Sequence, residues 1–222
     1  VTAGAVVEGL TVGRGAGADY SNTALGASAL SNNSGGNQNI AVGTQTLIAN
    51  TSGYSNAGAG YFALRSNTTG SGNVAFGTES LWLNTTASNN TAIGRSALQA
   101  NTTASYNTAV GYQAFYSNTV AAGGVAVGYQ AGYSQTTPDR NVAIGYQAMY
   151  SNVTGGNSVA IGWKAAYTSS DIDQSVAVGA SALTNNTTGD SNTAIGASAL
   201  SSNTTASNNT AVGYQAGYLN TT

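Results

Sequence analysis

The chain has 222 residues, of which only five are basic and seven acidic, so its formal net charge is -2. Five basic residues cannot form a patch that neutralises phosphates, which excludes a nucleic acid as the expected partner. The absence of cysteine and histidine excludes disulfides, thiolate metal sites and the commonest general base. With one lysine and two glutamates, no acid–base pair assembles by spacing, so we expect neither an enzyme nor a cofactor.

No apolar run approaches the roughly 18 residues of a membrane span, so we predict no membrane insertion by this segment. The charged fraction of 5% lies far below the approximately one quarter that is usual in globular domains. This composition is more typical of extracellular fibres. The chain begins with Val1 and nothing near it resembles a signal peptide, which indicates an excised or processed segment.

Residues 1–19 do not follow the pattern of the rest of the chain. Gly13, in the phrase TVGRG, lies 13 residues before Gly26, whereas all later steps are 17 residues. We therefore predict an irregular N-terminal coil or junction over 1–19 and a regular domain over 20–222. Thr222 falls in the middle of a repeat, so we expect the native chain to continue.

From residue 20 onward, one glycine recurs at every seventeenth position. Twelve copies follow one another without insertion or deletion, and such strict spacing indicates coils stacked on one another. We number each coil from the asparagine that opens phrases such as NTAVG, so coil one begins at Asn22 and the glycine is position 5. The position-5 glycines, predicted to form structural corners, are Gly26, Gly43, Gly60, Gly77, Gly94, Gly111, Gly128, Gly145, Gly162, Gly179, Gly196 and Gly213.

The other positions indicate strands rather than helices. Position 3 is Ala in eleven coils, position 4 is nearly always branched or aromatic, and position 12 is Asn in ten. Helical solenoid repeats need about 33 residues or more, which a 17-residue coil cannot supply. We predict a strand at positions 1–4, a glycine turn, a second strand near positions 6–10 and a polar return. The predicted fold class is all-β, a parallel β-solenoid (β-roll) of twelve 17-residue coils.

This geometry assigns a role to the repeated residues. The corner requires a backbone conformation that glycine adopts readily, and asparagines at positions 1 and 12 can form ladders of side-chain amides. Positions 2 and 4 are mostly apolar or threonine, while Ala at position 3 faces the opposite side. A strand that is apolar on both faces is expected to be covered on both. We therefore expect the chain to associate with copies of itself.

The phrases NSVAIG (157–162), QSVAVG (174–179) and NTAVG (107–111 and 209–213) resemble the head repeats of YadA-like trimeric autotransporter adhesins. Similar repeats occur in phage tail-fibre proteins. The resemblance covers residues 20–222 and implies a left-handed β-roll, a homotrimer of chains packed side by side, and a role in surface attachment. It implies an extracellular location, on a virion tail fibre or a bacterial cell surface. The strict period and the many Tyr, Gln and Asn residues favour the viral fibre.

Two aromatic rows are the candidate ligand-binding residues. They occupy positions 6 and 10 of coils six to nine, with Gln113, Gln130, Gln147 and Lys164 at position 7 between them. Stacked coils would align the rows into columns about 15 Å long. The columns could bind sugar rings on their apolar faces, as part of a glycan or protein receptor site, or could pack between subunits or cover the coil edge. The residues are Tyr112, Tyr129, Tyr146 and Trp163 at position 6, and Tyr116, Tyr133, Tyr150 and Tyr167 at position 10.

Three acidic residues form the remaining candidate site. Asp173 and Asp190 share position 16 of adjacent coils, and Asp171 lies nearby. Stacked carboxylates repel one another unless they are solvated or bridged by a cation such as calcium. Solvation is the favoured interpretation, and no other metal site is predicted.

The sequence leaves three functions open. The leading hypothesis is an extracellular fibre segment that builds a rigid trimeric shaft or head for attachment to a host surface. A purely structural extracellular filament or matrix protein would use the same repeats as a shaft alone. An ice-binding solenoid is the weakest alternative, because adjacent threonines at positions 13 and 14 point to opposite faces and do not form one flat array.

Overall fold

The fold was obtained as a computed structural model, which describes residues 6–7, 10–15, 21–137 and 140–221. These residues form an all-β structure, a parallel β-solenoid with one short strand in each 17-residue coil. The predicted fold class is confirmed. The chain divides into two compact units, Val1–Asn107 and Thr108–Thr222.

Unit one contains seven strands, and each pairs with its neighbours in chain order. The strands are β1 (Val6–Val7), β2 (Leu10–Gly13), β3 (Thr23–Leu25), β4 (Ile40–Val42), β5 (Ala57–Ala59), β6 (Val74–Phe76) and β7 (Thr91–Ile93). Strands β3 to β7 are parallel, and their register is offset by one full coil. Ala24, for example, pairs with Ala41.

Unit two contains seven further strands, all parallel, with the same offset of 17 residues. They are β8 (Thr108–Val110), β9 (Val125–Val127), β10 (Val142–Ile144), β11 (Val159–Ile161), β12 (Val176–Val178), β13 (Thr193–Ile195) and β14 (Thr210–Val212). Each strand occupies positions 2–4 of its coil, within the predicted span of positions 1–4.

The described part of the N-terminal segment consists of two short antiparallel strands. Strands β1 and β2 pair antiparallel, and β2 pairs antiparallel with β3, with Val12 opposite Leu25. Residues 1–5, 8–9 and 16–19 of the predicted junction lie outside the described residues. Strand β2 covers the edge of β3, which would otherwise present unpaired backbone groups.

The predicted second strand at positions 6–10 is wrong, because this segment forms tight turns. Position 7 and position 9 both have a positive φ, as at Gln45 (54°) and Leu47 (53°), whereas a strand requires a φ near -120°. The backbone nevertheless continues to bond between coils. The Gln45 N–H donates to the Ala27 carbonyl of the preceding coil at 2.8 Å, and the Leu47 N–H donates to the Ala63 carbonyl of the following coil at 3.1 Å.

The interior of each unit is built from a few small and apolar positions. The alanines at positions 3 and 8 are buried, and in unit one they enclose a column of buried leucines at position 9. That column consists of Leu30, Leu47, Leu64, Leu81 and Leu98. Because the alternating turn directs positions 8 and 9 to the same side, two adjacent residues of each coil contribute to the core.

Buried asparagines hold the polar return of each coil against this core. Asn39 at position 1 and Asn50 at position 12 both donate from Nδ2 to the carbonyl of Gly53 at position 15, at 2.8 and 2.9 Å. Asn50 Nδ2 also donates to Asn33 Oδ1 in the preceding coil at 2.8 Å. The predicted asparagine ladders are therefore confirmed, and they satisfy backbone groups that would otherwise be buried without partners.

Threonine at position 13 links successive returns. The backbone N–H of Thr51 donates to the Thr68 carbonyl at 2.9 Å, and its hydroxyl donates to the same oxygen at 3.1 Å. Thr68 repeats both bonds to Thr85. A hydroxyl at this position therefore adds a second bond between coils.

Coil nine reaches the same packing with different residues. It has Ser158 and Ser169 in place of the two asparagines, Ala166 in place of leucine, and buried Ile172 at position 15, where other coils mostly have Gly or Ala. The Ser158 hydroxyl donates to the Ile172 carbonyl at 3.1 Å and accepts the Ser175 N–H at 3.0 Å, as asparagine does elsewhere. Ile172 supplies apolar volume in a coil that has only Ala166 at position 9.

Replacing Ile172 with Ala should therefore destabilise the protein by about 2–5 kcal/mol, because the core of coil nine has no other large side chain to fill the cavity. The matched control is Val153→Ala, since Val153 is an aliphatic residue with 38% of its surface exposed. That variant should change stability by about 0.5 kcal/mol or less. Chemical denaturation of both variants measures the difference, and similar losses would show that Ile172 is not a core residue.

The position-5 glycines are confirmed as corners with a positive φ. In all twelve coils φ lies between 127° and 143°, a region that side chains rarely adopt. At Gly128 a Cβ atom would lie 2.5 Å from the carbonyl oxygen of Gly145 in the next coil. Glycine is thus required for two reasons, its conformation and the close approach of the next corner.

Gly128→Val should destabilise the protein much more than Ala180→Val. The first change combines backbone strain of about 1–3 kcal/mol with a clash against the next coil, while Ala180 is exposed at position 6. Thermal unfolding followed by circular dichroism compares the two variants. Equal melting temperatures would contradict the corner assignment.

Candidate binding face of coils six to nine

Three tyrosines at position 6 form the first predicted column. The ring centroids of Tyr112 and Tyr129 lie 5.3 Å apart, and those of Tyr129 and Tyr146 lie 5.1 Å apart, with interplanar angles of 17° and 7°. Each of these three tyrosines has between 38% and 45% of its surface exposed. The structure therefore brings these three residues together on the surface, as the sequence predicted.

Four tyrosines at position 10 form the second column. Tyr116, Tyr133, Tyr150 and Tyr167 stack with centroid separations of 5.1, 5.0 and 5.4 Å. These tyrosines are half-buried, so this column is set lower in the surface than the position-6 column. Both predicted columns are thus present in unit two.

Trp163 does not extend the stack of position 6. Among the described residues its ring has no stacking contact with Tyr146, and it instead faces the ammonium of Lys164, whose Nζ lies 5.0 Å from the indole centroid. The same Nζ lies 4.7 Å from the ring centroid of Tyr167. Lys164 at position 7 therefore lies between the two aromatic rows and contacts a ring in each.

Glutamines at position 7 continue this central row. Gln130 Nε2 donates to Gln113 Oε1 at 2.9 Å, and Gln147 Nε2 donates to Gln130 Oε1 at 3.0 Å. Their backbones all have a φ near 53°, so the turn directs position 7 outward between positions 6 and 10. The candidate face therefore has three parallel rows, tyrosine, glutamine and tyrosine.

The geometry differs from a platform of open ring faces. Because the tyrosines stack face to face, each ring covers the face of its neighbour, and the rows present ring edges and hydroxyl groups to solvent. The expectation that sugar rings would lie on the faces of these tyrosines does not fit this arrangement. What the face offers is a regular series of phenol hydroxyls and amide groups.

A smaller aromatic cluster in unit one was missed from the sequence. Phe62 at position 7 lies 3.7 Å from Tyr61 and 5.9 Å from Trp82 between ring centroids, and the Arg65 guanidinium lies 4.8 Å from its ring. The signal was present, since positions 6, 7 and 10 of neighbouring coils carry these residues. The cluster has no repeated row, so it forms a local patch only.

Each of the three predicted acidic residues accepts a hydrogen bond from the preceding coil. Asp173 Oδ1 accepts the Gly156 N–H at 2.6 Å, Asp190 Oδ1 accepts the Asp173 N–H at 2.9 Å, and Asp171 Oδ1 accepts the Thr154 hydroxyl at 2.9 Å. No group of three or more acidic side chains close enough to hold a metal ion occurs within residues 21–137 and 140–221. The calcium interpretation gains no support, and these carboxylates act as links between coils.

A second surface consists of the outward strand positions 2 and 4. Ile93, Ile161 and Ile195, all at position 4, have 42%, 37% and 41% of their surface exposed. The inner alanines of the same strands are buried. As predicted, the strands carry apolar residues on both sides. In a single chain the inner side is buried, while the outer side is exposed in some coils and half-buried in others.

Comparison of the chain with protein-family models, with curated proteins and with solved structures returned no match. In the described part of the chain, no helix has the length and apolar character needed to span a membrane.

Stacking affects the acidity of one tyrosine. Burial raises the pKa of the Tyr133 phenol above its ordinary value of 10.0, and the neighbouring phenols of Tyr116, Tyr150 and Tyr112 raise this pKa further. A group whose pKa is raised by folding stabilises the folded state at pH values below its unfolded pKa. That contribution is lost as the pH rises through the folded pKa.

The free energy of unfolding should therefore decrease as the pH rises above about 10, and Tyr133→Phe should reduce this decrease. Denaturation at pH 9 and at pH 11 measures the effect, and absorbance near the phenolate band reports ionisation. The control is Tyr214→Phe, which removes a tyrosine that is 76% exposed and outside both columns. An identical pH dependence in wild type and Tyr133→Phe would contradict the assignment.

Proposed function

We propose that the chain is a non-catalytic, extracellular fibre segment that attaches to a host surface, on a virion or a bacterial cell, and functions as a parallel homotrimer. The observation that carries the proposal is that the coils present two chemically different surfaces, each formed by its own repeat positions. Positions 2 and 4 leave an apolar stripe uncovered, whereas positions 6, 7 and 10 of coils six to nine present polar aromatic rows.

The apolar stripe suits a second copy of the same chain. Its residues recur at every coil in the same register, as in the pairing of Val142 with Val159, so an identical parallel chain would match it row by row. Burial of apolar surface is worth about 25 cal/mol per Å². Charge repulsion opposes this association little, since the whole chain carries a net charge of only -2.

The aromatic rows favour attachment over a purely structural filament. Coils one, ten and eleven have Ala27, Ala180 and Ala197 at position 6, which shows that the fold does not need an aromatic residue there. Exposed tyrosines in three successive coils are thus unexplained by stacking of the backbone alone. Aromatic residues with polar ends are frequent in recognition surfaces.

The ice-binding alternative is disfavoured by the structure. The hydroxyls of Thr51, Thr68 and Thr85 at position 13 donate to carbonyls of the following coil. A hydroxyl that is held by the backbone is not free to order a layer of water in the way that an exposed threonine array would be.

Sedimentation equilibrium should give the mass of a trimer at micromolar concentration. Ile161→Asp, at exposed position 4, should shift the equilibrium toward monomer, because a charge would be buried against the neighbouring chain. Ala180→Asp adds the same charge at exposed position 6 and should leave the trimer intact. A stable, soluble monomer in the wild-type protein would overturn the trimer.

Attachment is tested separately by measuring retention of the labelled trimer on cell surfaces and on immobilised glycans. A double variant carries Tyr129→Ala and Tyr146→Ala together. Loss of retention in this variant, while the trimer persists, would support an attachment role. A trimer that is retained on none of these surfaces would favour the structural filament.

A further inference from the structure

We propose that an extended β-1,4-linked glycan chain binds lengthwise along the face formed by positions 6, 7 and 10 of coils six to nine, with one sugar unit to each coil. This inference rests on the proposed attachment function and names its ligand class. Its starting point is the regular spacing of the three rows, which a polymer of matching repeat can follow.

The spacing selects the kind of polymer. Successive tyrosine rings are separated by 5.0 to 5.4 Å in both columns, and the interplanar angles do not exceed 21°. The sugar units of an extended β-1,4-linked chain advance by nearly the same distance. An extended peptide advances by only about 3.3 Å per residue, so its groups would fall out of register within two coils.

The chemistry of the rows suits hydroxyl-rich units. Gln130 uses one N–H and one acceptor site in the ladder, while Gln113 only accepts and Gln147 only donates. Each amide therefore retains at least one N–H and one lone pair. The tyrosine hydroxyls of the columns make no hydrogen bond to another protein group within the described residues. Each coil therefore offers donors and acceptors to the hydroxyls on both edges of a sugar.

Charge argues for a neutral or weakly charged glycan. Lys164 is the one basic residue in these three rows, and its ammonium already contacts the rings of Trp163 and Tyr167. A polyanion such as a nucleic acid would require several phosphate contacts, which this face does not supply. Binding should accordingly depend little on salt.

Trp163 lies at one end of this face. The next coil has Ala180 at position 6, so no ring from that coil covers the indole, which is 52% exposed. Unlike Tyr129, which has a stacked ring on both sides, the indole has no stacked ring among the described residues, and a terminal sugar can lie against it. The tyrosine columns thus contribute edges and hydroxyls, and the tryptophan contributes a face.

Titration calorimetry of the full chain with cellohexaose, and separately with chitohexaose, tests the proposal. The two probes share the β-1,4 geometry and distinguish a glucan from an N-acetylated chain. Shorter oligosaccharides of the same two kinds measure the contribution of each sugar. If each added sugar gains one net hydrogen bond, affinity should rise about fivefold per sugar up to four units and then level off. Maltohexaose, which has α-1,4 linkages, is the control and should bind at least tenfold more weakly.

Variants assign the binding to this face. Tyr129→Ala together with Gln130→Ser should lower the affinity for the preferred hexamer at least tenfold, and both replacements occur naturally at these positions in other coils, such as Ala180 and Ser181. Tyr214→Ala, at position 6 outside the columns, should leave it unchanged. No binding of either β-1,4 hexamer, equal binding of maltohexaose, or an undiminished affinity in a folded double variant would each overturn the proposal. If the trimer is still retained on cells in that event, the attachment function stands and only the ligand class is wrong.

Discussion

The constraint on which this structure depends is that each coil must return to the same point after 17 residues, so that its backbone groups meet those of the next coil. Asparagines at positions 1 and 12 enforce the return, because both amides donate to one carbonyl, as Asn39 and Asn50 do to Gly53. An inserted residue would displace these bonds in every later coil. The absence of any insertion over twelve copies follows from this requirement.

The candidate face is a consequence of the turn that follows the corner glycine. Alternation of positive and negative φ at positions 6–10 directs positions 8 and 9 inward, and leaves positions 6, 7 and 10 on the outer surface. Residues outside the core can then vary without loss of the fold, and the same outward position holds Arg95, Tyr129 or Ala180. The repeat thereby separates the residues that maintain the coil from those that are available for recognition.

Much of this architecture could be predicted from the sequence, since the period, the corner glycines and the asparagine ladders each follow from one repeated residue type. The second strand could not, because non-glycine residues such as Leu47 rarely adopt a positive φ. One signal was available: positions 8 and 9 are both small or apolar, and adjacent residues of a strand cannot both face the core. The columns were predicted correctly, but their alignment depends on ring orientation, which spacing alone does not determine.

Repetition also determines how such a face could discriminate between ligands. Because the rows of coils six to eight are nearly identical, sliding a bound polymer by one coil costs little, and the rows alone do not define a single register. In the proposed binding mode the register would be set where the repetition stops, at Trp163 and Lys164, whose contact replaces the position-6 tyrosine stack and the glutamine ladder. Weak contacts repeated along a chain, and again on neighbouring copies, give avidity without a deep pocket. Under the proposed function, recognition would therefore depend on the length and spacing of the partner more than on any single residue.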